Sequence, residues 1–439
     1  MRVLSRPTVR VCCLLLAVWS GLAGPGGGGM PASAASGPSE SLKSALSPAQ
    51  WKQMEGCVDR ALAWIASSQA PDGSFPSLQQ GQPAVTSLCV LAFLSRGHQP
   101  GFGPYGVQMN RAIDFVLSCQ ESDGLFDYEP PSAAGVVPGS GAAGENPGQI
   151  ADASQIEQQL VPQRAYSGFG RNVVGRNASG ATYNHAIAGL MLGEVFGHVD
   201  AQRTKEVKLA IDKALLFTRN LQTRSKESDD DKGGWRYLRL QFEADSDLSV
   251  TGWHLMFLRS ARNAEFNVPQ AWVDEAMDFV HRCWVEDDGL FHYTAWGSQS
   301  SQYTRGLMGS AIVSLSLAGQ HESLQALAAG DWLLAHPYQE FGQKIGRGDR
   351  FYYSTYYCSQ AAAQLGGRYW KGIYPPIVET LVRAQEADGS FPSPDGTSFR
   401  GFGGRGGGTG EAMYGQDYMT AMAVLSLTPA YQLLPVYQR

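Results

Sequence analysis

The stretch AIDFVLSCQESDGLF, residues 112–126, decides the fold of this chain because similar stretches recur along the sequence. Residues 61–75 read ALAWIASSQAPDGSF, residues 276–291 read AMDFVHRCWVEDDGLF, and residues 381–391 read LVRAQEADGSF. A further copy runs from Ala214 to Trp235 with a charged insertion, and a weaker one runs from Ala329 to Pro337. Self-similarity of this kind predicts a repeat architecture.

Each copy has the same four parts: an apolar helix, a polar exit, an Asp-Gly turn and an aromatic residue. Ala and the aromatic residue three positions later share one helix face, which predicts that this face packs inward. The turn suits Gly, which accepts a positive φ without steric cost. The Gln before the turn is placed to reach backbone groups that the helix end leaves unpaired.

A second helix follows each turn and is apolar on most of its faces, which indicates burial on both sides. The first helices carry charge on one face, so we expect them to form an outer ring around the second helices. No polar terminal repeats are visible, which favours closure over an open array. The sequence therefore predicts an all-α (α/α)6 toroid of six helix pairs over residues 48–439, with a long loop at 130–181. The predicted inner helices are Val85–Gly97, Tyr183–Gly197, Leu248–Arg262, Tyr303–Gly319, Tyr352–Gly367 and Tyr414–Thr428.

The N-terminus has the pattern of a targeting signal. Three arginines within the first ten residues precede an apolar run from Val11 to Ala23. This run suits a signal peptide and is short for a membrane span. We expect a signal peptide at 1–23, with cleavage as late as Ala34, and a flexible linker rich in Gly, Ala, Pro and Ser at 24–47. A retained anchor is the alternative; the expected location is secreted, periplasmic or in the cell envelope.

Composition excludes several classes of partner and cofactor. The chain is 43% hydrophobic and 17% charged, with a formal net charge of −6 and no basic stripe, which argues against nucleic acid. Five cysteines follow the leader, widely spaced and without a C-x-x-C pair, which argues against a disulfide framework or a zinc knuckle. We expect no metal, no cofactor and no stable membrane span after leader removal.

The repeat copies resemble the Gln-Trp repeats of squalene–hopene cyclases. The whole pattern resembles the prenyltransferase and squalene-oxidase repeat, and residues 352–370 are similar to those of exported bacterial proteins with that repeat. The resemblance implies the α/α toroid that terpenoid cyclases, protein prenyltransferase β subunits and complement-like thioester domains share. It specifies fold better than activity, since one fold hosts many functions. The prenyltransferase zinc ligands and the thioester motif are missing here.

Residues 243–251, EADSDLSVT, partly match the Asp-x-Asp-Asp motif of class II terpene cyclases, in which the middle Asp protonates an alkene or epoxide. Asp245 and Asp247 match its first and third positions, and Leu248 departs from the fourth. The resemblance makes both aspartates catalytic candidates, since protonation of an alkene requires an acid with a raised pKa. Alternatively, Asp247 is the N-cap of the helix that follows it, with Asp245 near the same positive helix end.

Further polar residues open the predicted inner helices and are expected to converge on a central funnel. His185 with Asp247 is a possible acid–base pair. The candidate ligand-binding residues are His185, His254, Thr304, Arg305, Tyr356 and Asp417; Thr86, Asn184, Tyr353 and Tyr418 occupy comparable positions.

Three functions fit these observations. The first is an exported toroid that binds a ligand or partner in its funnel, either an apolar small molecule or an envelope protein, without a complete known catalytic motif. The second is a terpenoid cyclase-like enzyme acting on a polyprenyl substrate. The third is a carbohydrate-active toroid, for which Asp245, Asp247, Asp417 and Glu411 are the available carboxylates.

Overall fold

Outer and inner helices alternate along the chain in the computed structural model, in step with the repeats of the sequence. The structure describes residues 42–128, 180–238, 244–296, 303–346, 348–396 and 410–438. These residues contain twelve α-helices: α1 (Pro48–Ser68), α2 (Ala84–Ser95), α3 (Gly106–Ser118), α4 (Ala181–Val195), α5 (Ala201–Thr223), α6 (Leu248–Asn263), α7 (Gln270–Arg282), α8 (Arg305–Leu317), α9 (Leu324–Ala335), α10 (Phe351–Leu365), α11 (Gly367–Ala384) and α12 (Gln416–Leu427). A short antiparallel hairpin, β1 (Trp284–Val285) and β2 (Leu290–Phe291), follows α7.

The even-numbered helices form a closed inner ring. Each contacts the next in the order α2, α4, α6, α8, α10, α12, and α12 contacts α2. The odd-numbered helices lie outside, with α1 on α12, α3 on α2, α5 on α4, α7 on α6, α9 on α8 and α11 on α10. All twelve residues of α2 are buried, whereas only six of the thirteen residues of α3 are. The predicted α/α toroid of six helix pairs, with inner and outer rings, is therefore confirmed over the described residues.

In four copies of the repeat, the Gln of the unit clamps the turn to the next outer helix. Its side-chain amide donates one hydrogen bond to the carbonyl of the turn Gly and a second to a carbonyl on the following outer helix. The last clamp reaches α1 and so joins the end of the ring to its beginning. The clamps are Gln69 to Gly73 (2.9 Å) and Gln108 (2.8 Å), Gln120 to Gly124 (3.2 Å) and Ala210 (2.8 Å), Gln222 to Gly233 (2.9 Å) and Trp272 (2.9 Å), and Gln385 to Gly389 (2.9 Å) and Cys57 (2.8 Å).

The aromatic residue after each of these turns plugs the space between outer and inner helices. Phe75, Phe126, Trp235 and Phe391 are all fully buried. The backbone N–H of each aromatic residue donates to a side chain in the first turns of an inner helix, so turn and helix are fixed together. The acceptors are Thr86 Oγ1 at 3.0 Å, His185 Nδ1 at 3.3 Å, Thr251 Oγ1 at 3.0 Å and Thr420 Oγ1 at 3.1 Å.

The end of the predicted linker packs on the toroid. Leu42 and Leu46 are buried, and the Leu42 carbonyl accepts a hydrogen bond from the Trp370 indole at 2.8 Å. The predicted signal peptide, the rest of the linker and nearly all of the loop at 130–181 lie outside the described residues. Among the helices that are described, none combines the length and apolar character that crossing a membrane requires. The five cysteines after the leader are buried and unpaired.

Candidate functional site

A cavity of about 710 Å³ lies where the N-terminal ends of the inner helices meet. Residues at the first turns of the even-numbered helices line it, so these ends surround one space. Its deepest lining residues stand one helical turn further along their helices and form an apolar floor. The floor consists of Leu88, Ile187, Trp253, Leu307 and Met422.

Hydroxyl groups line one side of the cavity. The Tyr183 hydroxyl donates to Ser249 Oγ at 2.9 Å, and Ser249 Oγ lies 2.6 Å from the Tyr353 hydroxyl. The hydroxyls of Tyr237 and Tyr293 lie 3.0 Å apart. Burial raises the pKa of Tyr183 and Tyr293 well above the usual value, so these phenols are neutral at physiological pH. The wall therefore combines aromatic faces with neutral donors and acceptors.

Glu411 lines the same cavity, and its carboxyl lies beside the start of α10, next to Tyr353. It accepts hydrogen bonds from the backbone N–H groups of Tyr352 at 3.1 Å and Tyr353 at 2.9 Å, which would otherwise be unpaired at the helix end. Burial raises the pKa of Glu411 to about 7, against the opposing effect of these N–H groups and of the exposed Arg350. Glu411 is therefore an acid that changes charge near neutral pH, on the cavity wall.

Asp247 lies behind the tyrosine wall and does not line the cavity. Its Oδ1 accepts a hydrogen bond from the Val250 N–H at 2.8 Å, so it caps α6 as the alternative interpretation predicted. Its Oδ2 lies 3.9 Å from Nε of Arg236, whose guanidinium lies over the Tyr237 and Tyr293 rings. Burial raises the pKa of Asp247 to about 6, and Arg236 opposes this rise. Asp247 thus has the environment of a protonatable acid, separated from the cavity by tyrosine side chains.

Asp245 is engaged away from Asp247. Its Oδ2 accepts a hydrogen bond from the Glu227 N–H at 2.8 Å, and its Oδ1 lies 3.4 Å from Arg224. These contacts hold the segment that follows α5 against the residues just before α6. The structure therefore gives Asp245 a local structural contact and does not bring its carboxyl to the cavity wall.

The two candidate histidines lie together in the core. His185 Nδ1 accepts from the Phe126 N–H, and its Nε2 lies 2.9 Å from Thr218 Oγ1. His254 stacks on Trp235 with ring centroids 4.8 Å apart. Burial lowers the pKa of His254 to about 4 and that of His185 well below its usual value, so both are neutral. His185 takes the place of Thr86, Thr251 and Thr420 as the acceptor for the aromatic residue's N–H, so it has a structural role. Its hydrogen bonds go to Phe126 and Thr218 and not to Asp247.

The other candidates divide between the cavity and the packing around it. Thr304 lines the cavity and caps α8 through the Leu307 N–H at 3.2 Å. Arg305 pairs with the buried Asp349 at 3.0 Å. Tyr356 hydrogen-bonds through its hydroxyl to Tyr437, and Asp417 accepts a hydrogen bond from Ser68. The described residues contain no group of His, Cys, Asp and Glu suited to a metal ion.

Sequence reasoning found part of the wall and missed the rest. Asn184, Tyr353 and Tyr418 line the cavity at the helix openings where they were expected. Tyr237, Tyr293 and Arg350 were missed because they lie in connecting segments, where helical periodicity gives no orientation. Tyr183 and Trp253 lie on inner helices, and their places in the first two turns are the signal that would have identified them. The missed lining residues also include Tyr414.

The buried carboxyl of Asp417 predicts a pH dependence of stability. Burial raises its pKa from 3.8 to about 7, against the opposing Ser68 hydroxyl. The folded state therefore holds this proton more tightly than the unfolded chain, and the associated stability is lost as pH rises from about 4 to about 7. We expect the free energy of unfolding of Asp417→Asn to exceed that of the wild type increasingly over this range, by up to about 4 kcal/mol. Urea unfolding at a series of pH values measures this difference; parallel curves for the two proteins would contradict it.

No family model and no curated protein matches this sequence. Among solved structures, a glycosidase variant superposes with a TM-score of 0.52 at 12% identity, covering 89% of this chain and 100% of that chain. The type II terpene cyclase MstE from Scytonema gives a TM-score of 0.47 at 13% identity, covering 87% and 100%. The α-mannanase BT2949 of Bacteroides thetaiotaomicron gives 0.48 at 12% identity, covering 86% and 96%.

The likeness to the glycosidase shows the fold alone, since its sequence identity is low. It agrees with the ring of helix pairs seen in the described residues. The chain is an α/α toroid, the fold that its resemblance to squalene cyclase-like repeat proteins predicted.

Proposed function

We propose that this α/α toroid binds a small molecule in its central cavity, with an apolar part on the floor and a polar end among the hydroxyl groups. The cavity itself carries the proposal. Its volume of about 710 Å³ lies within the range of about 300–1,000 Å³ that is usual for small-molecule sites. Largely apolar pockets with a few convergent polar groups are the common form of such sites.

The apolar floor supports an apolar tail. Leu88, Ile187, Leu307 and Met422 present aliphatic side chains, and Trp253 adds an aromatic face. Removing apolar ligand surface from water against them contributes roughly 25 cal/mol for each Å² buried. A ligand with a flexible hydrocarbon part gains from this floor in a way that a uniformly polar ligand does not.

The wall and mouth support a polar end on the same molecule. The hydroxyls of Tyr183, Tyr237, Tyr293 and Tyr353 stand above the floor, where they offer hydrogen bonds to an oxygen-bearing group. Tyrosine supplies an apolar ring and a polar tip at one position, which suits a boundary between the two parts of an amphiphile. An apolar molecule that carries a hydroxyl or carbonyl group matches this arrangement.

Catalysis by this site is the alternative proposal. Asp247, with its raised pKa, supports a terpenoid cyclase-like reaction if the tyrosines between it and the cavity move or relay a proton. A carbohydrate-active reading calls for two carboxyl groups across the substrate, whereas Glu411 is the single acidic side chain on the part of the wall that the structure describes. The basic and apolar N-terminal segment supports export, so we place the binding activity outside the cytoplasm.

Filling the cavity tests the proposed function. Leu307→Trp adds a large ring at the floor, whereas Leu327→Trp makes the same change on the outer helix α9, where Leu327 is 36% exposed. Geranylgeraniol, an apolar chain with one hydroxyl, is titrated into each protein and followed by calorimetry. We expect saturable binding by the wild type and by Leu327→Trp, and at least a roughly tenfold weaker affinity for Leu307→Trp, which corresponds to about 1.4 kcal/mol.

Cellohexaose serves as the polar comparison ligand in the same titration. Saturable binding of cellohexaose without binding of geranylgeraniol would contradict the proposal and favour the carbohydrate alternative. Equal binding of geranylgeraniol by all three proteins would place its site elsewhere. Circular dichroism and thermal unfolding establish that Leu307→Trp is folded before its affinity is compared.

A further inference from the structure

The C-terminal segment crosses the far end of the inner ring. We call residues 429–438 the strap; they follow α12 and contain two short 3-10 turns, Pro429–Tyr431 and Pro435–Tyr437. Val436 and Tyr437 are buried. The strap is therefore packed against the helices of the ring.

Two adjacent strap residues bind helices on opposite sides of the ring. The Val436 N–H donates to Glu194 Oε2 at 3.3 Å, in the last turn of α4. The Tyr437 carbonyl accepts from Gln364 Nε2 at 2.8 Å, near the end of α10. In the ring order, α4 and α10 face each other across the centre. The strap therefore lies across the axis of the ring, at the end opposite to the mouth of the cavity.

A third contact holds the strap between these two helices. Asn263 Nδ2, at the end of α6, donates to the Pro435 carbonyl at 2.9 Å. The carboxyl of Glu194 is fixed in turn by the Ser260 hydroxyl at 2.5 Å. These contacts use backbone atoms of the strap, so they fix its path. The orientation of the Tyr437 side chain is set separately, by the residues that pack around it.

The Tyr437 side chain reaches back toward the cavity. Its hydroxyl bonds to that of Tyr356 and lies 3.3 Å from the sulfur of Met256. The Tyr356 ring stacks on Trp253, with centroids 5.6 Å apart and planes inclined by 8°. Trp253 forms part of the cavity floor. Two aromatic rings, those of Trp253 and Tyr356, thus separate the ligand space from the strap.

We propose that Tyr437 is a positioning residue that sets the depth of the cavity and so limits the length of the apolar tail that it accepts. It acts through Tyr356, which it holds beneath Trp253. This inference rests on the proposed ligand binding. Without the Tyr437 side chain, Tyr356 loses the hydroxyl bond that holds it and the space that the buried side chain fills is vacated, so the floor opens toward the far end of the ring.

The length of the longest ligand accepted tests this role. Straight-chain alcohols from octanol to octadecanol are titrated into the purified full chain. While the tail still fits, each added methylene group strengthens binding by about fourfold, because burying one contributes about 0.8 kcal/mol; beyond the floor, the gain stops. We expect the chain length at which it stops to increase by two or more methylene groups in Tyr437→Ala. Tyr437→Phe keeps the ring but loses the hydroxyl bond to Tyr356, so we expect its limit to lie between those of the wild type and of Tyr437→Ala.

A role in folding alone gives a different result. It lowers the thermal midpoint of Tyr437→Ala but leaves the length limit unchanged, and this outcome would overturn the inference. If Tyr437→Ala does not fold, Tyr437→Leu, which removes the ring but keeps part of the side-chain volume, is subject to the same comparison. A limit that moves further in Tyr437→Phe than in Tyr437→Ala would also overturn it, since the space vacated by the side chain would then not set the depth of the cavity.

A second measurement does not depend on the proposed function. Crystals of the wild type and of Tyr437→Ala are exposed to xenon, which occupies apolar cavities. If xenon occupies a space beneath Trp253 that is continuous with the cavity, and does so only in Tyr437→Ala, the inference is supported even if no alcohol binds to either protein. Xenon confined above Trp253 in both would overturn it. Absence of alcohol binding with the supporting xenon result would count against the proposed function alone.

Discussion

Gly233→Ala is expected to destabilise the protein by about 3 kcal/mol or more, through a clash between a repeat turn and the next outer helix. Gly233 has a φ of +85°, and a Cβ built there would lie 2.0 Å from the Glu275 carbonyl oxygen and 2.6 Å from its carbon. Both partners are backbone atoms, so no side-chain rotation relieves the overlap. The Gln222 clamp also ties this turn to α7 through the Trp272 carbonyl, which prevents the turn from moving away.

Gly289→Ala is the matched control for Gly233→Ala. Gly289 also has a positive φ, of +64°, but a Cβ there would meet nothing within 4 Å. Its substitution carries only the conformational cost of a left-handed residue, about 1 kcal/mol. Urea unfolding compares the two variants with the wild type. Equal losses of unfolding free energy would contradict the argument, because the close approach to α7 would then contribute nothing beyond the backbone conformation.

Arg305→Met is expected to cost about 3–5 kcal/mol of unfolding free energy, because it leaves the Asp349 carboxylate buried without its cation. Both side chains are 1% exposed; Arg305 Nε lies 3.1 Å and Nη2 3.0 Å from Asp349 Oδ2. The guanidinium also lies 3.8 Å above the centre of the Tyr338 ring. Chemical denaturation measures the loss, and a change below about 1 kcal/mol would contradict a structural role for this ion pair.

The double variant Arg305→Met, Asp349→Leu separates two contributions to the loss of stability: the cost of leaving a buried charge unpaired and the loss of the ion pair itself. Replacing both members of a buried pair by apolar groups removes the unpaired charge, so we expect the double variant to be more stable than Arg305→Met alone. We expect the double variant to regain only part of the unfolding free energy, because Asp349 also accepts hydrogen bonds from Ser354 Oγ at 2.5 Å and the Ile345 N–H at 3.1 Å. A ligand-binding role for Arg305 would instead show as weaker geranylgeraniol binding with stability unchanged.

The repeat made the ring predictable, because each copy of the unit specifies a helix, a turn and an aromatic plug through local chemistry. The capping role of Asp247 was predictable for the same reason, since its position before an apolar helix is visible in the sequence. Aligning the repeats also explains His185, which takes the place of a threonine that accepts a backbone hydrogen bond. Turns and helix caps of this kind are specified by residues close together in the sequence, so the sequence alone indicates them.

The composition of the cavity wall was less predictable, because it depends on which connecting segments turn inward. Tyr237 and Tyr293 follow different outer helices, and the packing of neighbouring helix pairs brings their hydroxyls to 3.0 Å from each other. Conversely, Arg305 and Tyr356 stand near the openings of inner helices, yet their side chains pack between helices and not into the cavity. Neighbouring residues on one helix differ by about 100° in direction, so a shift of one position decides between the cavity and the core.

The clamp of Gln385 on the Cys57 carbonyl joins residues 328 positions apart. An open array of repeats folds through contacts between neighbouring units and can grow outward from any one of them. A closed ring must also form this distant contact, at the entropic expense of restraining nearly the whole intervening chain. The toroid is therefore expected to acquire its stability only on closure, as a single cooperative transition, and a nick in one repeat weakens units on the far side that it never touches.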